Sequence, residues 1–278
     1  VVVRTEASDR TLIVGAPNKT IGIQEMEDHL LELSRLVNAA GGEVVGTVFQ
    51  RIIKRNPRFL IGKGKIAELA LKVTATAAEL VIFDDELTPL QGKSIEDYLG
   101  VRVMDRSELI LDIFAKRARS REAKMQVELA QLQYLMPRLR RMWTHLSRIR
   151  GGIGLRGPGE TQIETDRRLI GRRITTLRKR LEALNIARSN RRKSRKGEFQ
   201  AALVGYTNAG KSSLLRALSQ RDVLVENRLF STLDSKIRKV ELGDGFAGMI
   251  TDTVGFIRKL PHHLVASFRS TLEGIREA

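Results

Sequence analysis

Residues 11–105 alternate short apolar runs with amphipathic stretches. The runs are TLIVG at 11–15, EVVGTVF at 43–49, ELVIFDD at 79–85 and VRVMD at 101–105, and apolar positions recur at helical spacing near 25–40, 65–77 and 90–99. Continuous β-branched runs suit strands buried on both faces, the environment of a parallel sheet. The pattern therefore predicts a small parallel α/β domain over residues 1–106. Gly41-Gly42 is the expected stop for the first helix. Asn56-Pro57 interrupts the order with a loop, and Gly62-Lys63-Gly64-Lys65 reads as an exposed turn at the entrance to the next helix, with contact to a second phosphate group as the alternative.

Beyond residue 106 the period changes. Leu109, Ile113, Met125, Leu129, Leu132 and Met136 follow three- and four-residue spacings, and Pro137 predicts a kink or break because it removes one helical hydrogen bond. After the glycine-rich stretch GGIGLRGPGE at 151–160, Leu169, Ile170, Ile174, Leu177, Leu181 and Leu184 supply the inner face of a second helix over about 161–187. Two antiparallel helices joined by a long loop are expected. The run RSNRRKSRK at 188–196 has nothing to bury and is expected to be a connector. Three segments result: an N-terminal α/β domain at 1–106, a helical hairpin with its loop and linker at 107–196, and a partial α/β domain at 197–278.

Charge sharpens this division. Residues 116–196 carry 24 Lys and Arg against six acids, a net +18, so the remainder of a chain with total charge +17 is close to neutral. A cationic segment of that density repels itself unless a polyanion compensates it, and nucleic acid is the commonest such partner. With no cysteine, disulfides and thiolate metal sites are excluded, and four scattered histidines without zinc-ligand spacing make structural zinc unexpected. No apolar stretch approaches the ~18–20 residues of a membrane span, and the N-terminus lacks a signal-peptide pattern. A cytoplasmic monomer without membrane contact is expected.

The chemistry concentrates near the C-terminus. Gly205, Tyr206, Thr207, Asn208, Ala209, Gly210, Lys211 and Ser212 fit the phosphate-binding P-loop pattern, after the apolar strand 199–204 and before an amphipathic helix over 213–219 that opens with Ser213. That context is what the chemistry needs: glycines let backbone N–H groups close around phosphates, and the helix N-terminus faces their charge. Lys211 is expected to reach the β- and γ-phosphates and Ser212 to ligate Mg²⁺. A second strand at 246–250 leads into Thr251-Asp252-Thr253-Val254-Gly255, where Asp252 is placed to hold the Mg²⁺ water shell and the Gly255 N–H to sense a γ-phosphate. Between them FSTLD at 230–234 makes Thr232 the switch I candidate, meeting Mg²⁺ and the γ-phosphate.

At this point a family resemblance becomes specific. GYTNAGKSSLLRAL, LFSTLDSKIRKV, TDTVGFIRKLP and LVASFRSTLEGIREA are similar to the P-loop, switch I, switch II and following helix of HflX GTPases. Upstream, NPRFLIGKGKIAEL, the stretch from Asp105 to Leu139 and GGIGLRGPGETQIETDRR resemble the same family, so the likeness runs from about residue 10 to residue 278. The resemblance implies GTP binding and hydrolysis coupled to the large ribosomal subunit and its rRNA, in ribosome dissociation or rescue, with loop 151–160 approaching the peptidyl-transferase centre. It also marks departures. The guanine-reading N/T-K-x-D motif would lie past Ala278, the chain opens on Val1 rather than Met, and the strand before the P-loop is expected to become a sheet edge. These point to part of a longer protein. Phe256 stands where Ras-like GTPases carry the water-orienting glutamine. Asn208 occupies a position that, in related glutamine-lacking GTPases, helps hold K⁺ near the β- and γ-phosphates; the equal alternative is that it caps the loop through its own backbone. Two other readings are an ATP-driven RNA remodelling factor and a non-enzymatic RNA-binding scaffold. Intact Lys211, Ser212 and Asp252 argue against the scaffold.

Overall fold

The computed structural model describes residues 9–17, 21–142, 158–193, 199–219, 229–230, 236–243 and 246–259. It is an α/β protein whose chain divides into two compact units, Val1–Ile113 with Arg140–His145, and Phe114–Leu139 with Leu146–Ala278.

The first unit is built on strands β1 (Arg10–Gly15), β2 (Glu43–Phe49), β3 (Leu80–Phe83) and β4 (Arg102–Asp105), all parallel in the order β2-β1-β3-β4. Helices α1 (Ile23–Ala40), α2 (Lys63–Thr76) and α3 (Pro89–Leu99) make the crossovers. Leu12, Val14, Val81, Phe83 and Val103 share one core with Ile66, Leu69 and Val73 of α2 and Ile95 of α3. The alternate residues Ile13 and Ile82 are equally buried, so both faces of the sheet are covered and the continuous apolar runs are explained. Each helix extends one or two residues beyond its expected start. Lys63 and Gly64 therefore lie in the first turn of α2 rather than in a separate exposed turn, and the Lys65 Nζ donates to Glu68 at 2.6 Å. Thr88 and Gln91 close a reciprocal capping box at the start of α3.

The charged side chains of this unit are not all at its surface. Arg106, 2% exposed, donates from Nη1 to Asp84 at 2.6 Å and from Nη2 to Glu32 of α1, and His29 Nδ1 lies 3.9 Å from Asp84. The pair joins the end of β3 to the residue that follows β4 and to the helix above them.

Residues 106–142 form two helices, α4 (Arg106–Arg117) and α5 (Arg121–Met142), where one pattern over 107–136 is expected. The Ser120 hydroxyl accepts the Ala123 N–H at 3.0 Å, which caps a new helix and breaks the run. Pro137 does not end α5. Packing outweighs the lost hydrogen bond: Leu129, Met125, Leu132 and Met136 meet Ile170, Ile174, Leu177 and Leu181 of α6 (Pro158–Lys193). Glu128 pairs with Arg173, while the more C-terminal Met136 lies against the more N-terminal Gly171, so the helices run antiparallel as expected. Helix α6 is longer than its expected span at both ends. It takes in 158–160 of the glycine-rich stretch and continues through 188–193 of the basic run; the rest of both segments lies outside the described residues.

The last elements are β5 (Phe199–Leu203), α7 (Lys211–Ser219), β6 (Lys236–Gly243) and β7 (Phe246–Asp252). Strand order is β5-β7-β6, with β5 parallel and β6 antiparallel to β7, around Leu215, Val240 and Ile250. Strand β5 is an edge of the described sheet, as expected, with Phe199 half exposed. Among the described residues no helix is long and apolar enough to cross a membrane.

Candidate nucleotide site

Parallel pairing of β5 with β7 sets Leu203 beside Asp252, so the segments that follow the two strands leave the sheet together. The Thr253 hydroxyl donates to the Leu203 carbonyl at 2.7 Å and fixes that junction. Beyond it the Phe256 N–H donates to Gly205 O at 2.9 Å and the Thr207 N–H to Phe256 O at 2.8 Å, a parallel bridge between the glycine-rich loop and the segment after Asp252. Gly255 lies inside this bridge. A Cβ there would stand 2.6 Å from both Cα and N of Thr207, so only glycine fits.

The loop itself turns through left-handed backbone at Asn208 (φ 59°) and Gly210 (φ 85°) before α7 begins at Lys211. The Ala209 N–H reaches back to Tyr206 O at 3.3 Å, and the Leu214 N–H to Gly210 O at 2.8 Å closes the first helical turn, which also carries the exposed Ser213. The first N–H groups of a helix have no partner within it, and they point where an anion is favoured.

Three side chains converge on the same end of the sheet. The Lys211 Nζ folds over the loop to donate to Tyr206 O at 2.6 Å and Gly205 O at 3.1 Å. Burial lowers its pKa from the ordinary lysine value, and the Asp252 charge opposes that shift. The Ser212 hydroxyl donates to Asp252 Oδ2 at 2.6 Å. Asp252 is fully buried and its Oδ1 has no hydrogen-bond partner among the described residues. A buried carboxylate oxygen left open beside a hydroxyl is costly unless something positive meets it. This hard-oxygen pair at the mouth of a phosphate loop fits a magnesium ion.

The structure thus brings Gly205, Lys211, Ser212, Asp252 and Gly255 together, as the spacing predicts. Thr232 lies outside the described residues, but the residue two positions before it is placed. Phe230 is 2% exposed and packs edge-on against Phe114 with ring centroids 4.6 Å apart. Sequence reasoning missed the Tyr206–Phe256 bridge and the Thr253 hydroxyl contact, since neither leaves a pattern in one chain.

Comparison with known proteins bears on the same residues. Three family profiles tile the chain: GTP-binding GTPase N-terminal at 27–115, GTP-binding GTPase Middle Region at 117–195 and 50S ribosome-binding GTPase at 200–277. "GTPase HflX" of Flavobacterium psychrophilum is 48% identical over 270 residues, covering 97% of this chain and 65% of the relative. "GTPase HflX" of Alkalihalophilus pseudofirmus is 52% identical over 257 residues, covering 92% of this chain and 61% of the relative. The chain therefore spans a little under two thirds of the length of these curated relatives. Among solved structures, a GTP-binding protein from Sulfolobus solfataricus in complex with GDP superposes with a TM-score of 0.52 at 25% identity, covering 97% of this chain and 68% of that one.

Proposed function

The chain belongs to the HflX family of GTP-binding proteins, and from that premise we propose that it binds and hydrolyses GTP and couples its nucleotide state to binding of the large ribosomal subunit, in ribosome dissociation or rescue. The observation that carries the nucleotide part is the convergence of Lys211, Ser212 and the half-satisfied, fully buried Asp252 on one phosphate loop. Guanine as the base rests on the family and on the GDP complex of the Sulfolobus relative.

In this reading the P-loop backbone from Gly205 to Ser213 wraps the phosphates. Lys211 leaves the Tyr206 and Gly205 carbonyls for the β- and γ-phosphate oxygens, exchanging neutral acceptors for charged ones. Ser212, Asp252 and Thr232 would hold Mg²⁺, which supplies charge neutralisation at the phosphates. The Gly255 N–H senses the γ-phosphate, and the Phe256 bridge to Gly205 and Thr207 ties that sensor to the P-loop. The Phe256 ring can neither donate nor accept the hydrogen bond that orients an attacking water, so intrinsic turnover is slow and the missing group comes from elsewhere. Asn208, in left-handed backbone within the loop, would help hold a K⁺ ion, which would supply positive charge beside the phosphates.

Ribosome binding is assigned to the middle segment. Arg167, Arg168, Arg172, Arg178, Lys179 and Arg180 are exposed on α6, whereas Arg173 is engaged by both oxygens of Glu128, at 2.6 and 2.9 Å, and that hydrogen bond raises its pKa. The exposed arginines, rather than Arg173, are the rRNA contacts. Sedimentation of full-length protein with large subunits tests the coupling. A GTP analogue should promote co-sedimentation over GDP, with ADP without effect; equal binding in all three states would contradict it.

A further inference from the structure

The near-zero net charge outside the middle segment conceals a second cationic surface in the first unit. From residue 44 to residue 67 the chain contains no acid, yet it carries Arg51, Lys54, Arg55, Arg58, Lys63 and Lys65. Lys65 is paired with Glu68. The other five side chains are exposed, and none forms an ion pair among the described residues.

These cations sit on a built loop. Residues 50–62 leave the carboxyl end of edge strand β2 and return to α2. The Asn56 side-chain oxygen accepts the Arg58 and Phe59 N–H groups at 2.8 and 3.1 Å, and the Asn56 and Leu60 backbones exchange bonds at 2.9 and 3.0 Å. The loop is tied to the domain at two further points, Ile52 N–H to Pro17 O at 3.0 Å and the Gln91 side chain to Asn56 O at 2.8 Å, and its own ends are joined by the Gly62 N–H donating to the Gln50 side chain at 2.9 Å. Ile52, Phe59, Leu60 and Ile61 are buried beneath it, while Ile53 is left 77% exposed among the cations.

We propose that residues 50–63 form an RNA-docking surface separate from the basic helices, with Arg51, Lys54, Arg55, Arg58 and Lys63 meeting phosphates. Five unpaired like charges held on a rigid loop raise the energy of the free protein and lower it against a polyanion. Little ordering entropy is then spent on binding, because the backbone is already fixed. Three of the five are arginines, whose planar fork matches phosphate oxygens in pairs. Ile53, exposed between Arg51 and Lys54 in the sequence, offers an apolar contact to a sugar or base edge. RNA is chosen over other polyanions on the proposed ribosomal function, so the inference rests on that reading for the identity of its partner.

The test is binding of full-length protein to a short fluorescent RNA duplex across a salt series, for the wild type and for the triple variant R51Q/K54Q/R55Q. The variant should bind about tenfold to a hundredfold more weakly at low salt, with a log K against log salt slope shallower by roughly 2 to 3. R51K/R55K, which keeps the charge, should retain the wild-type slope. If the triple variant loses its thermal unfolding transition, Lys54→Gln alone should still reduce the slope by about one. An unchanged slope and affinity overturn the proposal, as does a defect confined to binding of anionic lipid vesicles. Wild-type co-sedimentation with large subunits reads the ribosomal function independently: its failure would remove that function while leaving the duplex result standing.

Discussion

Gly255 and Thr207 approach so closely that the glycine has no room for a side chain, with both the Cα and the N of Thr207 2.6 Å from where a Cβ would stand. The neighbours are backbone atoms of the P-loop, which cannot rotate aside. Gly255→Ala should therefore break the bridge between Phe256 and the loop and destabilise this unit by about 1–3 kcal/mol through overpacking. Limited proteolysis around residue 256 and the thermal transition of the second unit report the effect. A variant as resistant and as stable as the wild type would show that the close approach is not maintained.

Ser212 and Asp252 are coupled by the 2.6 Å hydrogen bond. Ser212→Ala removes the donor and leaves a buried carboxylate with no partner on either oxygen, a cost of about 1–3 kcal/mol without ligand. It also removes one proposed Mg²⁺ ligand. Nucleotide affinity should lose most of its response to added magnesium, measured by titration calorimetry in EDTA and in excess Mg²⁺. A wild-type magnesium response in the variant would exclude Ser212 as a ligand.

Lys211 is held below the ordinary lysine pKa by burial. The charged form is thus disfavoured in the free site, and this penalty on the folded state fades as pH rises through the lysine range. Phosphate binding supplies the missing counter-charge and should raise the pKa again, so binding takes up a proton and affinity declines as pH rises through the lowered value. Carbon NMR of the lysine Cε should show Lys211 titrating below the other lysines in the free protein and at or above them with GDP bound. No movement on adding GDP would mean that Lys211 does not reach the phosphates.

Arg106 and Asp84, 2% and 3% exposed, form an ion pair in which neither charge has access to water. Arg106→Met leaves Asp84 charged and buried, and Glu32 without this partner. The first unit should lose about 3–5 kcal/mol, read by urea unfolding followed at a probe in that unit. A loss under about 1 kcal/mol would mean that water or a neighbouring group replaces the guanidinium.

The elements of the first unit were legible because β1 and β3 are continuous apolar runs and the first helix ends on Gly41 in left-handed backbone; α2 ends instead on Ala77, an alanine in left-handed backbone that carries no stop signal. The helical region was less so. Ser120 reads as an ordinary polar residue until its hydroxyl is seen capping Ala123, and Pro137 reads as a breaker until α6 is packed against Met136. The candidate nucleotide site was legible in Lys211, Ser212, Asp252 and Gly255, because the P-loop and D-x-x-G spacings name them in the sequence. The contacts that hold those residues in place, from Thr253 to Leu203 and from Phe256 to Gly205 and Thr207, depend on strand register and are invisible in a single sequence. The same averaging of charge that exposed the middle segment hid the cluster at residues 51–63, where acids elsewhere in the unit balance it on paper but not in space.

The proposed function has GTP hydrolysis switched on by the large ribosomal subunit, Phe256 standing where a water-orienting glutamine would otherwise act. Single-turnover GTP hydrolysis by the full-length protein, with and without purified large subunits and in potassium or sodium buffer, tests it most directly. The account predicts slow turnover alone and a rise of several orders of magnitude, about 10³-fold or more, when the missing group is supplied, with the larger rate in potassium if Asn208 holds the ion. Stimulation by subunits without ion preference would remove only the role of Asn208, whereas fast hydrolysis in sodium without ribosomes would contradict the whole account.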